Sequence, residues 1–275
     1  MYSRSTRRLR FQKTFFSNFL SRTSIALLLV FFVVASFVLV PALAAFGGGE
    51  PTFLSSTPFS DQSSILKVDG PTGAFTQRVP ISIPPGRNGL QPDVALDYNS
   101  QRTEDSIVGY GWSLSIPYIQ RLNKTGSQDL YTQHVVFSSS MEGELVKQIS
   151  TSTLYRARVD STSAHTYLFA NNTWTVYDKK GTRYVCGSSD SGRQFDSAGG
   201  SGNTFKWMLQ EVRDTNGNYV SYTYNKDSNE IYPYQVKYTG NGSTDGPFAV
   251  TFATSTRSDV RESYKAGFKV TTNYR

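Results

Sequence analysis

Cysteine and histidine are the residues that this chain has least of. Its 275 residues include a single cysteine, Cys186, so no disulfide can form within the chain. The two histidines, His134 and His165, lack the spacing of a metal-ligand pair and of a catalytic triad. We therefore predict that Cys186 is a small buried strand residue and that both histidines are ordinary strand or loop residues.

Motifs of enzymatic chemistry are also missing. The chain has no Gly-x-Ser-x-Gly elbow and no His-Glu-x-x-His helix, and its scattered acidic residues form no acid and base pair. "DTNGN" at 214–218 begins like a calcium loop, but its glycine comes one position early and no glutamate closes it. "GGSGN" at 199–203 precedes a predicted strand, whereas a phosphate site needs a helix N-terminus. We predict a hairpin turn at 214–218 and a surface loop at 199–203. We predict no catalytic, cofactor-binding or metal-binding residues.

The predicted folded part has no excess of positive charge. The formal net charge is +7, but six basic residues precede the first acidic residue, Glu50. Without those six, 22 of the 28 lysines and arginines remain, against 21 aspartates and glutamates. A nucleic-acid surface needs a basic stripe on the folded domain, so we predict no nucleic-acid partner.

The N-terminal segment has the pattern of an export signal. A basic stretch precedes the apolar run at 25–40, and Ala42-Leu43-Ala44 fits a small-x-small cleavage site. We predict a signal peptide over 1–44, cleaved after Ala44, with an uncleaved transmembrane helix as the alternative. Residues 45–67, rich in Gly, Ser, Thr and Pro, are predicted to be a flexible linker. The folded part is then exported, to the extracellular space or the cell surface.

From Val68 onward the sequence alternates apolar and polar residues. Val94, Leu96 and Tyr98 share one face of such a segment, and no stretch has a sustained helical period with caps. Turn residues separate the alternating segments at Asn171-Asn172, Lys180-Gly181 and Asn216-Gly217. We predict an all-β fold of twisted antiparallel sheets and hairpins, preceded by one hydrophobic N-terminal helix.

The loop "IPPGRNGLQP" joins two alternating segments. We predict a type II turn at 84–86, with positive φ at Gly86, and a second tight turn at Asn88-Gly89. Pro92 is predicted to start the next strand, and Pro80 to occupy an edge position or a bulge. Arg87 is expected in solvent at the tip, so the loop is interpreted as a rigid corner.

Several separated motifs resemble one family. "GAFTQRVPISIPPGRNGLQPDVALDYNSQ" and "GYGWSLSIPYIQR" resemble the opening of the SpvB-type domain. "KWMLQEVRDTNGNYVSYTYNKDSNEIYPYQVKYTGN" is similar to later strands of that family, and its "NGNYVSYTYN" also looks like a YD (Rhs-type) repeat unit. The family includes the N-terminal half of the Salmonella virulence plasmid toxin SpvB and the start of the B components of insecticidal Tc toxins. The resemblance extends from Gly70 to the end of the chain.

The resemblance implies a structural role for residues 68–275. In Tc toxins this segment contributes β-sheet to a hollow shell that also contains Rhs repeats and encloses a toxic C-terminal region. It implies a non-enzymatic N-terminal module, with downstream propeller and Rhs regions and other toxin components as partners. The ADP-ribosyltransferase activity of SpvB lies in a separate domain. Glu142-Gly143-Glu144 precedes Ser161-Thr162-Ser163 here, the reverse of the order such an enzyme needs.

Two further expectations follow from departures from the family. The chain carries an export signal and stops within an alternating segment at Arg275, so we expect a fragment of a longer protein. The isolated piece 45–275 is expected to aggregate through an unpaired sheet edge. The alternative function is an extracellular adhesin or carbohydrate-binding module that uses exposed aromatics such as Trp174 and Tyr177. An enzyme with an unrecognised site is disfavoured by the absence of any catalytic motif.

Overall fold

The computed structural model describes residues 66–275, except for 105, 125, 133–134, 150–151 and 160–163. These residues belong to one compact unit. The predicted signal peptide or membrane helix, nearly all of the linker, His134, and the stretch from Ser161 to Ser163 lie outside the described residues. Among the residues that are described, no helix is long and apolar enough to cross a membrane.

The prediction of an all-β fold with antiparallel sheets and hairpins is confirmed. Helical structure in the described residues consists of three 3-10 turns, at Ser127–Asp129, Asp190–Gly192 and Ser201–Asn203. The strands are β1 (Leu66–Val68), β2 (Phe75–Pro80), β3 (Ala95–Asn99), β4 (Trp112–Leu114), β5 (Tyr118–Leu122), β6 (Val136–Ser139), β7 (Gly143–Lys147), β8 (Leu154–Ala157), β9 (Thr166–Ala170), β10 (Thr173–Tyr177), β11 (Arg183–Cys186), β12 (Arg193–Phe195), β13 (Thr204–Arg213), β14 (Asn218–Asp227), β15 (Glu230–Asn241), β16 (Phe248–Thr251), β17 (Thr256–Ser263) and β18 (Val270–Tyr274).

Eight strands form a closed barrel. Strands β5 to β11 pair antiparallel with their neighbours in chain order, and β13 pairs with both β5 and β11. The first half of β13 pairs Trp207 with Ile119 of β5, and its second half pairs Leu209 with Cys186 of β11. Because β13 has ten residues, it has room for a different neighbour along each half. A single long strand therefore closes the ring.

Two smaller sheets and one extension complete the fold. The first sheet has the order β1-β2-β3-β4, and β17 pairs with β18 in a separate hairpin. From β13 the large sheet also continues outward through β14 and β15 to β16. The 3-10 turn at Ser201–Asn203 lies in the predicted GGSGN surface loop and leads directly into β13, as the sequence indicated.

Aromatic side chains fill the barrel. Alternation along the strands directs one face inward, where Tyr167, Trp174 and Trp207 are completely shielded from solvent. Phe137 lies at the centre, with ring centroids 5.0 Å from Trp174 and 5.8 Å from Trp207, both in edge-on geometry. The interior is therefore a packed core.

The predicted hairpin turns are confirmed, and one was missed. Asn171 and Asn172 (φ 50° and 57°) connect β9 to β10 in the left-handed conformation that a tight hairpin needs. Gly181 and Gly217 have φ of 83° and 81° at the other two predicted turns. Ser228-Asn229, which the sequence analysis did not single out, makes the same left-handed turn between β14 and β15.

The proline loop differs from its prediction at Gly86. Gly86 does not have the positive φ that the predicted type II turn requires, so that prediction is wrong. The glycine is required for space, because a Cβ there would lie 1.9 Å from the carbonyl oxygen of Leu90. The predicted turn at Asn88-Gly89 is confirmed by φ of 53° and 76° and by the Leu90 N–H donating to the Arg87 carbonyl at 3.0 Å.

The prolines beside this loop have distinct positions. Pro92 precedes β3 by three residues, so it does not start the strand as predicted. Pro80 ends β2 beyond the last residue paired with β1, which confirms an edge position. Arg87 is exposed as predicted. The loop also packs on the rest of the fold, since Ile83 and Leu90 contact the main core and Tyr238 Oη donates to the Pro84 carbonyl at 3.2 Å.

Candidate functional site

Cys186 is the last residue of β11 and points into the barrel. Its side chain is fully buried, which confirms the prediction of a buried strand residue. Burial raises the pKa of the thiol to about 12, because a thiolate would lose its hydration there. The thiol is therefore protonated at neutral pH and shielded from any substrate in solution.

A polar cluster that the sequence did not indicate lies at one end of the barrel. Glu142, in the turn between β6 and β7, has a side chain that is 2% exposed. His165 Nδ1 lies 3.0 Å from Glu142 Oε1, without the alignment of a hydrogen bond. Tyr167 Oη donates to Glu142 Oε2 at 2.9 Å and lies 3.3 Å from Ser139 Oγ. These contacts tie the β6–β7 turn to β9.

The structure separates the two glutamates of Glu142-Gly143-Glu144. Glu142 lies inside the cluster described above, whereas Glu144 pairs on the outer face with Lys124 Nζ at 2.6 Å and Arg158 Nη1 at 2.9 Å. The hydrogen bond from Lys124, followed by that from Arg158, lowers the pKa of Glu144. The two carboxylates therefore do not share one site.

Asp214 organises the hairpin between β13 and β14. Its Oδ1 accepts from the backbone N–H groups of Asn216 at 2.9 Å and Asn218 at 2.8 Å, and its Oδ2 from Asn218 Nδ2 at 2.7 Å. Partial burial alone would raise the pKa of Asp214, but these hydrogen bonds outweigh it and lower the pKa. The prediction of a hairpin turn is confirmed. No group of three or more His, Cys, Asp or Glu side chains that could hold a metal occurs in the described part of the chain.

The aromatic platform of the adhesin hypothesis is not formed. Alternation along β10 turns Trp174 and Val176 into the barrel, where both are fully buried, and leaves Tyr177 outside and 38% exposed. The expectation that Trp174 is exposed is therefore wrong. It failed because the sequence pattern gives the two faces of a strand but not which face is covered.

A partly buried cation lies at the other end of the barrel. Arg121 of β5 points inward, where its Nε donates to the Thr204 carbonyl at 2.7 Å and its Nη1 to the Leu130 carbonyl at 3.0 Å. Its guanidinium carbon also lies 5.0 Å from the ring centroid of Tyr131 and 5.5 Å from that of Trp207. Burial lowers the pKa of Arg121, since the charged form loses hydration.

An open cavity of about 760 Å³ adjoins this guanidinium. Its walls come from β5, β6, β7, β8, β9 and the segment before β6. The lining residues are Arg121, Tyr131, Thr132, Val135, Val136, Phe137, Glu144, Leu145, Val146, Lys147, Tyr155 and Phe169. Because these residues are far apart in sequence and meet only through barrel closure, no local motif indicates the cavity.

The fold and its sites define a class of protein, a β scaffold in which most of the charged and polar side chains described above are engaged in structural contacts. The family model described as Salmonella virulence plasmid 65kDa B protein matches residues 69–245. The chain therefore belongs to the SpvB family, which confirms the resemblance found in its sequence motifs. It is a domain related to SpvB and to Tc toxins.

Solved structures share this fold. The N-terminal domain of effector protein SpvB from Salmonella typhimurium strain LT2 superimposes with a TM-score of 0.58 at 16% identity, covering 71% of this chain and 84% of that one. The TcdB2-TccC3 structure gives a TM-score of 0.63 at 21% identity, covering 76% of this chain. The Photorhabdus luminescens Tc holotoxin pore gives 0.62 at 20% identity, again covering 76%.

The present chain spans a small part of the Tc proteins. The match covers 13% of the TcdB2-TccC3 chain and 13% of the matched chain of the holotoxin pore. None of the curated proteins matches this chain in sequence.

Proposed function

We propose that this chain supplies a non-enzymatic structural module of an exported Tc-type toxin. In this proposal its sheet forms part of an Rhs-like β shell that encloses or presents a toxic region located further along the full-length protein. The observation that carries the proposal is the large sheet itself. It leaves the closed barrel at β13 and continues through β14 and β15 to β16, in a fold shared with Tc toxin structures.

Strand β16 offers the edge at which such a shell would continue. It pairs with β15 from Gln235↔Thr251 to Tyr238↔Phe248, and no strand among the described residues pairs with its other side. An open edge leaves backbone N–H and C=O groups available to another strand. Phe248 at this edge is 42% exposed and stacks on Tyr238 at 5.5 Å between centroids. We assign this edge to strands of a downstream Rhs region, with a propeller region and other toxin components as further partners.

Burial of the reactive side chains supports the non-enzymatic part of the proposal. Cys186 and Glu142 are almost completely shielded from solvent, and Ser139 beside Glu142 is 2% exposed. In the proposal, export uses the signal peptide of residues 1–44, and the linker that follows separates it from the β domain of residues 68–275.

Hydrogen exchange on two lengths of the protein tests the assignment of the edge. The gene is sequenced beyond codon 275, and the complete product is compared with the 1–275 chain. We expect the β16 amides, at 248–251, to exchange much more slowly in the complete product, because downstream strands cover them. Amides of β6 and β7 inside the barrel are the control and should be equally protected in both.

Two outcomes would contradict the proposal. One is a stop codon directly after codon 275, together with a monodisperse chain that melts cooperatively. The other is a longer product in which 248–251 exchanges as fast as in the short chain.

A further inference from the structure

We propose that the cavity beside Arg121 binds a small organic carboxylate with an apolar tail. The carboxylate would pair with the Arg121 guanidinium, and the tail would lie against the aromatic wall of the barrel. This site is independent of the shell function proposed above, because it lies at the end of the barrel and β16 lies at the far edge of the sheet.

The charge of Arg121 has no carboxylate partner among the described residues. Within the described residues, its guanidinium contacts two carbonyl oxygens and the rings of Tyr131, Phe137 and Trp207. Aromatic faces compensate part of the positive charge of a partly buried guanidinium, but such a group commonly pairs with an anion as well. Nη2 of Arg121 makes no hydrogen bond with a described residue, so one donor is available for a ligand.

Other arginines of the fold provide the contrast. Six of them pair with a carboxylate at 2.6 to 3.0 Å, even where they are more exposed than Arg121. These are Arg78, Arg158, Arg183, Arg193, Arg213 and Arg257. The fold therefore supplies an acidic partner to each of these arginines, while the one beside the cavity lacks such a partner.

The walls of the cavity favour an apolar tail. Phe137, Leu145, Tyr155 and Phe169 line it, and its volume of about 760 Å³ falls in the range usual for small-molecule sites. Trp174 packs behind this wall, with its ring centroid 4.7 Å from that of Phe169 and 5.1 Å from that of Tyr155.

The mouth of the cavity favours a singly charged anion. Lys147 Nζ lies 5.9 Å from the Tyr155 ring centroid, and Lys124 and Arg158 flank Glu144. Basic groups therefore exceed acidic ones around the opening, which attracts anions. Inorganic phosphate would match the charge but would leave the aromatic wall unused, whereas an aryl carboxylate uses both.

Calorimetric titration of the 1–275 chain tests the site with 4-phenylbutyrate as the probe. The uncharged 4-phenylbutanamide has the same tail, and acetate has the same head. We expect the acid to bind about tenfold or more tightly than either, since only it pairs with Arg121 while filling the aromatic wall. Equal affinity for the acid and the amide, or no binding of the acid at roughly 10 mM, would overturn the proposal.

Matched arginine variants assign the binding to this residue. Arg121→Met should abolish the preference for the acid, while Arg193→Met should retain it, because Arg193 also donates to a backbone carbonyl but already pairs with Asp190. If Arg121→Met fails to fold, the Arg121 Nε–H resonance of the wild-type protein decides. It should shift on addition of the acid and stay in place with the amide. An unchanged resonance with both compounds would show that Arg121 has a structural role alone.

Discussion

The barrel and the first sheet bury their apolar residues to very different extents. Inside the barrel, Trp174 and Trp207 are completely covered, whereas Val68, Phe75 and Ile81 around β1 and β2 are 69%, 38% and 40% exposed. Closure explains the difference, because a closed sheet covers one whole face with its own strands. A four-stranded open sheet cannot do so, and it has to find its stability by packing on something else.

The first sheet is attached to the rest of the fold at several places. The proline loop contributes Ile83 and Leu90 to the main core, and the Pro84 carbonyl accepts from Tyr238 Oη. In the loop between β3 and β4, the Ser106 carbonyl accepts a hydrogen bond from Arg257 Nη1 at 3.0 Å. The loop first interpreted as a rigid corner is thus also an attachment between two sheets.

Replacing one tryptophan in each region should give the largest difference. Trp207→Ala removes a fully buried ring whose Nε1 donates to the Asn172 carbonyl at 2.9 Å, and should cost about 3–5 kcal/mol of unfolding free energy. Trp112→Ala in β4 removes a half-buried ring that contacts Tyr98 at 5.2 Å, and should cost about 1–2 kcal/mol. Urea denaturation measures both. Equal losses would show that the first sheet is packed as tightly as the barrel.

Glycine substitutions test the attachment of the first sheet. Gly86→Ala should cost about 2–3 kcal/mol, because the new Cβ would overlap the Leu90 carbonyl and force the loop to move. Gly89→Ala should cost about 1 kcal/mol, from its φ of 76° alone. Gly70→Ala meets no atom within 4 Å and is the neutral control.

Limited proteolysis locates the effect of Gly86→Ala. Cleavage should increase within β1 to β4 while the barrel stays resistant, because the substitution releases the loop from the core. Cleavage that begins in the barrel, or a variant as resistant as Gly70→Ala, would contradict the role given to the loop.

The smallest expected effect is the pH-dependent contribution of Glu211, in β13, to the free energy of unfolding. Hydrogen bonding from Arg213 first, and from Arg183 as well, lowers the pKa of Glu211 in the folded state despite partial burial. A glutamate whose pKa is lower in the folded state stabilises the fold at pH values above its unfolded-state pKa of about 4.3. This stabilisation is lost as the pH falls below that value. Glu211→Gln should therefore cost about 0.5–1 kcal/mol at neutral pH and clearly less at about pH 3.

Urea unfolding at the two pH values measures this contribution. Glu104→Gln, on the exposed loop between β3 and β4, is the control and should change little at either pH, since its pair with Lys265 is solvated. A Glu211→Gln effect that persists undiminished at low pH would show that shape, and not charge, carries the contribution.

Local features of the fold were predictable from sequence, and non-local ones were not. The left-handed turns at Asn171-Asn172 and Asn88-Gly89 follow from the backbone preferences of these residues themselves. The sequence pattern therefore predicted both turns. Gly86 was assigned a turn that it does not make, because its requirement for space comes from Leu90, four residues away. Ser228-Asn229 was missed because serine is an uncommon residue at positive φ.

The sites depend on pairings that no local pattern records. Arg121 meets Thr204 across the β5–β13 ladder, and Glu142 meets His165 across the barrel wall. Alternation established that Trp174 lies on one face of its strand, but only the closed ring shows that this face is the interior. The family motifs identified the fold, but they indicated neither the polar cluster around Glu142 at one end of the barrel nor the cavity beside Arg121 at the other.

Because β13 pairs with both β5 and β11, the barrel can close only after β13 has been synthesised. Strand β5 is made early, but its partner along Ile119↔Trp207 emerges only after all the intervening strands. Contacts so distant in sequence form slowly, because a long loop must close before they contribute stability. A nascent chain therefore holds the edges of β5 and β11 open until β13 appears. We therefore expect the nascent chain to be most prone to aggregation before β13 has been synthesised.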